Sequence, residues 1–148
     1  MSAGCTYWKE INVNIDIDSC VISDDKRLLQ IDRLYEMLQA SYWAKERPKG
    51  TVRSSIEHSL CFGVYYDSAQ IGFARCVTDY ATVYYLCDVI VDENYRGQGV
   101  GKALVKYITE HARLAGIMGV LGTRDAHGLY EQFGFTRDEG MYRPPDQD

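Results

Sequence analysis

The most constraining part of this chain is one continuous stretch, Asp88-Val89-Ile90-Val91-Asp92-Glu93-Asn94-Tyr95-Arg96-Gly97-Gln98-Gly99-Val100-Gly101-Lys102. An apolar strand runs into three alternate glycines, and an amphipathic helix follows. Glycines without a Cβ let backbone N–H groups come close to an anion, and a helix start adds unpaired donors and the positive end of its dipole. Arg96 and Lys102 flank the turn with no carboxylate between them. The pattern is a phosphate cradle at a strand-to-helix junction.

Spacing decides which phosphate ligand is meant. A P-loop needs four residues between its glycines and a hydroxyl after Gly-Lys; here three residues separate Gly97 from Gly101, and Ala103 stands where the magnesium-binding hydroxyl belongs. A dinucleotide fingerprint, G-x-G-x-x-G after the first strand of a βαβ unit, fits poorly a G-x-G-x-G that comes late in the chain. What remains is Arg96-x-x-Gly99-x-Gly101, preceded by a strand ending in Val91. It resembles the R/Q-x-x-G-x-G/A pyrophosphate loop of the GCN5-related N-acetyltransferase (GNAT) superfamily. Downstream, Ala126-x-x-x-Tyr130-Glu131-Gln132-Phe133-Gly134-Phe135 resembles that family's A-x-x-x-Y-E-K-x-G-F segment.

Composition narrows the alternatives. With 148 residues, 46% apolar and 25% charged, the sequence reads as a single globular domain over 1–148, frayed at 144–148. No apolar run approaches the roughly 20 residues of a membrane span. The start, Met1 to Glu10, lacks a basic region followed by an apolar stretch, so a cytoplasmic location is expected. A net charge of −5 disfavours nucleic acid and suits, weakly, a cationic substrate. Cys5, Cys20, Cys61, Cys76 and Cys87 are odd in number and form no C-x-x-C pair, and read as reduced thiols. His58, His111 and His127 sit on separate segments without metal-ligand spacing, so no metal is expected.

Alternation over Ile11–Ile17 predicts a first strand. Helical spacing predicts a helix from Asp24 to Ala40 and a short one over Val52–His58, with a loop from Ser41 to Gly50 that can wall a substrate site. Three β-rich runs, Leu60–Tyr66, Gln70–Thr78 and Thr82–Val91, predict an antiparallel meander. The helix from Val100 ends around Gly116, a strand covers Met118–Leu121, and Asp125 caps a last helix through Phe133. A closing strand is expected near Phe135 or at Met141–Arg143. The strand–helix–strand crossover makes the strands either side of the long helix parallel.

The resemblance implies a mixed, mostly antiparallel sheet with helices on both faces, whose parallel fourth and fifth strands splay apart to admit acetyl-CoA. It implies that the pantetheine arm pairs with Val89, Ile90 and Val91, and that the pyrophosphate lies over Arg96, Gly97, Gln98, Gly99, Val100, Gly101 and Lys102. The activity implied is acetyl transfer to a primary amine of a small molecule or peptide through a tetrahedral intermediate. The Val89 N–H would serve as oxyanion donor and Tyr130 as general acid to the coenzyme sulfur. Asp88 is the first candidate base, with its aim left open by strand alternation, and His127 and Glu57 are further options. Asp88 can equally be a structural acceptor or an ion-pair partner of Arg124. Thr123 stands where many members have a coenzyme-contacting Asn. Tyr42, Trp43, Tyr80, Tyr84 and Tyr85 either line an aromatic pocket or cover the sheet. Cys87, on an apolar strand without an adjacent basic residue, reads as an inert thiol. Many relatives pair as homodimers, and a non-catalytic acyl-CoA-binding module is the alternative function.

Overall fold

The computed structural model describes residues 13–146. Its strands are β1 (Val21–Ser23), β2 (Leu60–Tyr66), β3 (Ala69–Thr78), β4 (Val83–Val91) and β5 (Met118–Val120), and its helices α1 (Ile31–Gln39), α2 (Lys49–Glu57), α3 (Val100–Thr109) and α4 (His127–Glu131). The five strands form one sheet in chain order, antiparallel from β1 to β4, with β5 parallel to β4. This is the mixed α/β architecture expected, and among the described residues no helix is long and apolar enough to cross a membrane.

The sheet is buried on both faces, which explains why β2 reads as an unbroken apolar run rather than an alternating one. On one face Phe62, Val64, Ile71 and Leu86 pack with Leu104 and Ile108 of α3; on the other Phe73 and Ile90 pack with Leu34 and Leu38 of α1 and Val52 of α2. Gln70 and Gln30 tie α1 to the start of β3 by exchanging bonds: each side-chain carbonyl accepts the other's backbone N–H, at 2.8 and 3.0 Å.

Several element boundaries differ from the sequence reading. Ile11 and Asn12 lie outside the described residues, and Ile17–Ser19 is a 3-10 turn, because the Asp16 carboxylate accepts the Asp18 N–H and pulls the backbone out of extended form. The first strand is instead Val21–Ser23. The first helix starts at Ile31, since Asp25 caps a separate 3-10 turn at Lys26–Leu28. The second starts three residues early, directly after Pro48. Asp125 does not cap the last helix, whose N-cap is Ala126 without a side-chain bond; the Thr123 hydroxyl accepts the Ala126 N–H at 3.0 Å. No helix or strand forms over the described residues 135–146, so the closing strand is absent there and Met141 and Tyr142 stand exposed.

Two features of β4 shape the functional region. Its parallel ladder with β5 spans only Val83–Tyr85 against Met118–Val120, and Leu86–Val91 have no partner on that side. Against β3, the register passes from Phe73↔Ile90 to Arg75↔Cys87, so one β3 residue faces Asp88 and Val89 in a β-bulge. Asp88 takes the left-handed conformation there, with φ 52°.

The β4–β5 ladder depends on a close approach. A Cβ on Gly119 would lie 2.5 Å from the ring of Tyr84, its register partner, which is only 6% exposed. Gly119→Ala should destabilise the fold by about 1–3 kcal/mol through overpacking. Urea unfolding checks this, and a change under about 0.5 kcal/mol would show the ladder to be more compliant than argued.

Candidate active site

Beyond Val91 the chain is drawn tight before the helix. Asp92 accepts the Asn94 N–H at 2.9 Å and the Arg33 guanidinium at 3.2 Å, and Arg96 Nε donates back to the Val91 carbonyl at 2.9 Å. Gly97 and Gly99 then adopt φ 77° and 90°, conformations that carry a steric cost for any residue with a Cβ. The helix opens at Val100 with its first return bond from Ala103 N to Gly99 O at 2.9 Å, so the Val100, Gly101 and Lys102 amides have no acceptor within the helix. The Gln98 side chain turns the other way. It accepts from Ile15 N at 2.9 Å and donates to Val13 O at 2.7 Å, latching the preceding segment to the loop.

These elements enclose a cleft of about 490 Å³ at the splay between β4 and β5. Val89, Ile90, Val91, Arg96, Gly97, Gly99, Val100, Gly101, Lys102 and Tyr130 all line it; Gln98 and Asp88 do not. Opposite stand Ser41, Tyr42 and Trp43 from the α1–α2 loop, and Asp125 from the turn before α4. The donor set suits a diphosphate: free helix-start amides, a dipole end and two cations, with no carboxylate in the loop. The unpaired edge of β4 beside it suits an extended amide-bearing chain.

Tyr130 is 9% exposed and its ring packs edge-on to Phe135, centroids 5.9 Å apart. Burial pushes its phenol up to about 12, with the charges of Asp125 and Tyr42 acting in the same direction. The Thr123 hydroxyl is occupied by the Ala126 N–H, at the residue just before α4. Of the five clustered aromatics only Tyr42 and Trp43 reach the cleft; Tyr84 is buried in the α3-side core, and Tyr80 and Tyr85 are on the surface.

The bulge settles which way Asp88 points. It separates Leu86, in the α3-side core, from Ile90, in the core under α1 and α2, and Asp88 faces the α1–α2 loop. Its Oδ1 accepts Trp43 Nε1 at 2.9 Å, and its Oδ2 accepts Arg47 Nη1 at 2.7 Å and Arg75 Nε at 3.0 Å. Burial alone would raise its pKa, but the hydrogen bonds and charges of Arg47 and Arg75 outweigh that and hold the carboxyl below its usual range. A carboxylate so committed is a weak proton acceptor. Its ion-pair partners are these two arginines, while Arg124 stacks over Tyr42, 4.0 Å from the ring centroid.

The remaining candidates are dispersed. His111 pairs with Asp24 at 2.9 Å, His58 bonds the Ser54 carbonyl, and neither His127 nor Glu57 lines the cleft. Cys87 does have a basic neighbour, Arg75, but burial dominates and pushes its thiol up to about 11. Sequence reading missed two contributors, Asp125 in the cleft wall and the Arg47–Asp88–Arg75 node. Asp125 reads locally as a helix cap, and a pairing 41 residues apart in sequence leaves no local trace.

Comparison with known proteins agrees with this geometry. Residues 31–135 match the family model described as "Acetyltransferase (GNAT) family". A ycf52-like N-acetyltransferase of Prochlorococcus marinus, described as uncharacterized, is 29% identical over 136 residues, spanning 82% of this chain and 75% of the relative. A Gibberella zeae protein bearing an acetyltransferase name is 26% identical over 110 residues, and the match spans 62% of its length, just under two thirds. A solved structure assigned to the GNAT family, from Xanthomonas campestris pv. campestris, is 41% identical with a TM-score of 0.81 and covers 85% of this chain and 93% of its own.

Asp88→Ala should cost about 3 kcal/mol or more, because Arg75, with a side chain 14% exposed, is left without its counter-charge. The lowered pKa fixes the sign with pH: the ionised carboxylate stabilises the fold above the unfolded value of about 3.9, and that contribution is lost as pH falls through the folded value. The stability gap between wild type and Asp88→Asn should therefore shrink below about pH 4 in urea titrations. A gap independent of pH would contradict the ionised pairing.

Proposed function

The chain belongs to the GNAT acetyltransferase family, and from that premise we propose that it is an acetyl-CoA-dependent N-acetyltransferase acting on a primary amine of a small molecule or peptide. The observation that carries this reading is the single cleft in which a cation-flanked amide cradle, the unpaired edge of β4 and a buried phenol meet. The coenzyme supplies an acyl group activated as a thioester. Val100, Gly101 and Lys102 amides with the Arg96 and Lys102 side chains bind its diphosphate, and Val89 to Val91 align the arm along β4.

Val89 lies inside the bulge with no register partner on β3 or β5, and we assign its N–H to the oxygen that becomes negative as the amine adds. Tyr130 holds the proton for the departing sulfur. Asp125, in the cleft wall and near enough for its charge to raise the Tyr130 pKa, takes the place first considered for Asp88 as acceptor of the amine proton. Asp88 is then a positioning residue that fixes the bulge.

Thiol release from acetyl-CoA with a panel of amines tests the reading. Tyr130→Phe should lower kcat by about 10²–10⁴-fold while calorimetric coenzyme affinity is kept. Wild-type turnover in that variant removes Tyr130 from the chemistry. Coenzyme binding without acetylation of any amine in the panel would mark a binding module instead.

The raised phenol gives a pH prediction of definite sign. With its pKa pushed up to about 12, Tyr130 stays a protonated donor well past the point where an ordinary tyrosine, near 10, is half ionised. The rate constant kcat should show no alkaline decline attributable to this acid at pH 10. A decline centred near 10 that is absent from Tyr130→Phe would contradict the burial argument.

A further inference from the structure

We infer that the acceptor amine also carries an anionic group, a carboxylate or a phosphate, and that Arg47 receives it. The inference rests on the transferase reading above, and it reverses the expectation drawn from the net charge of −5. That figure describes the whole surface, whereas the acceptor meets only the groups next to the reacting centre.

Behind Trp43, just outside the residues that line the cleft, two guanidinium cations share one carboxylate. Arg47 and Arg75 both bond Asp88 Oδ2, and among the described residues no other acidic group lies within ion-pair distance of either. One positive charge is therefore left over in a partly dehydrated place, where side-chain exposures are 23% for Arg47, 14% for Arg75 and 2% for Asp88. An excess buried charge is costly unless something answers it. Arg75 is further committed, its Nη1 donating to Ser59 Oγ at 3.0 Å. Arg47 spends one donor on Asp88, and among the described residues its other side-chain donors make no hydrogen bond. A guanidinium with a free edge suits the planar, paired oxygens of a carboxylate or phosphate.

The node also stands beside the reacting centre. Asp88 precedes Val89, and its second oxygen holds Trp43, which with Tyr42 lines the cleft. Within the cleft lining the charge is opposite: Asp125 stands near Tyr130. An acceptor presenting an ammonium toward Asp125 and an anion toward Arg47 meets complementary charge at both ends.

Matched pairs test this: phenylalanine against phenethylamine, and O-phosphoethanolamine against ethanolamine. Each is measured for thiol release and, independently of turnover, by calorimetric titration of protein saturated with coenzyme A. At least one anion-bearing member should bind tenfold or more tighter than its partner lacking the anion, and the pair that shows it tells carboxylate from phosphate. Arg47→Gln should collapse that ratio toward one through KM, and Arg47→Lys, which keeps the charge without the paired donors, should restore part of it, which guards against a misfolded Gln variant. Equal binding within both pairs, or a ratio indifferent to Arg47→Gln, overturns the inference and leaves the transferase reading intact wherever thiol release persists. Arg47-dependent binding with no thiol release from any of the four amines supports the anion site and strikes the transferase reading instead.

Discussion

The cleft exists because β4 has one neighbour along most of its length where a central strand would have two. Its ladder with β5 lasts three residues, held where Gly119 admits the Tyr84 ring, and then the strands part. Backbone groups along Leu86–Val91 are left facing a gap, and in a folded protein such groups must find partners. Here the gap is a cleft whose far side carries Tyr130 and whose floor is the start of α3. Without the parting there is no room for a ligand, and the glycine turn would be only a connection.

The second constraint is the bulge at Asp88. A regular strand would send Leu86, Asp88 and Ile90 to one face. The left-handed residue resets the alternation, so Leu86, Val89 and Val91 serve the α3-side core while Ile90 serves the core under α1 and α2. Such a conformation is unfavourable for a residue with a Cβ and persists where its surroundings fix it. Trp43, Arg47 and Arg75 provide that fixing by clasping the side chain from two other elements. One carboxylate thereby joins the shape of the reactive strand to the position of the α1–α2 loop.

Local electrostatics in this molecule run against its overall charge. An acidic chain assembles Arg96, Lys102 and a helix dipole in the cleft, and an arginine pair around Asp88 behind Trp43 of its lining. Local charge governs what binds, because partly buried groups are screened far less than those on the surface. Among the residues that line the cleft, Asp125 is the acidic one.

The sequence by itself determined the parts whose signal is local. Alternate glycines after an apolar strand compel left-handed turns and a helix start, and Gly97 and Gly99 adopt them. Alternation and helical spacing located α1 through β5 to within a few residues apart from the late start of α1 and the early end of α3, and the short connections made the meander antiparallel. Helix α3 stops at Thr109 rather than near Gly116 and gives way to a 3-10 turn capped by His111. The Tyr130 motif placed a phenol that lines the same cleft. What the tertiary structure alone decided is everything that depends on a partner distant in sequence. The side chains that hold Asp88 come from residues 43, 47 and 75, so neither its aim nor its bonding could be read from β4. The Met141–Arg143 segment has strand-forming side chains but no neighbouring strand to pair with, and side-chain pattern cannot supply a ladder. Asp125 looked like a cap, but no side chain caps α4 and Asp125 lines the cleft instead. In each case the deciding quantity was a contact in space, whose energy depends on which surfaces the packed core brings together.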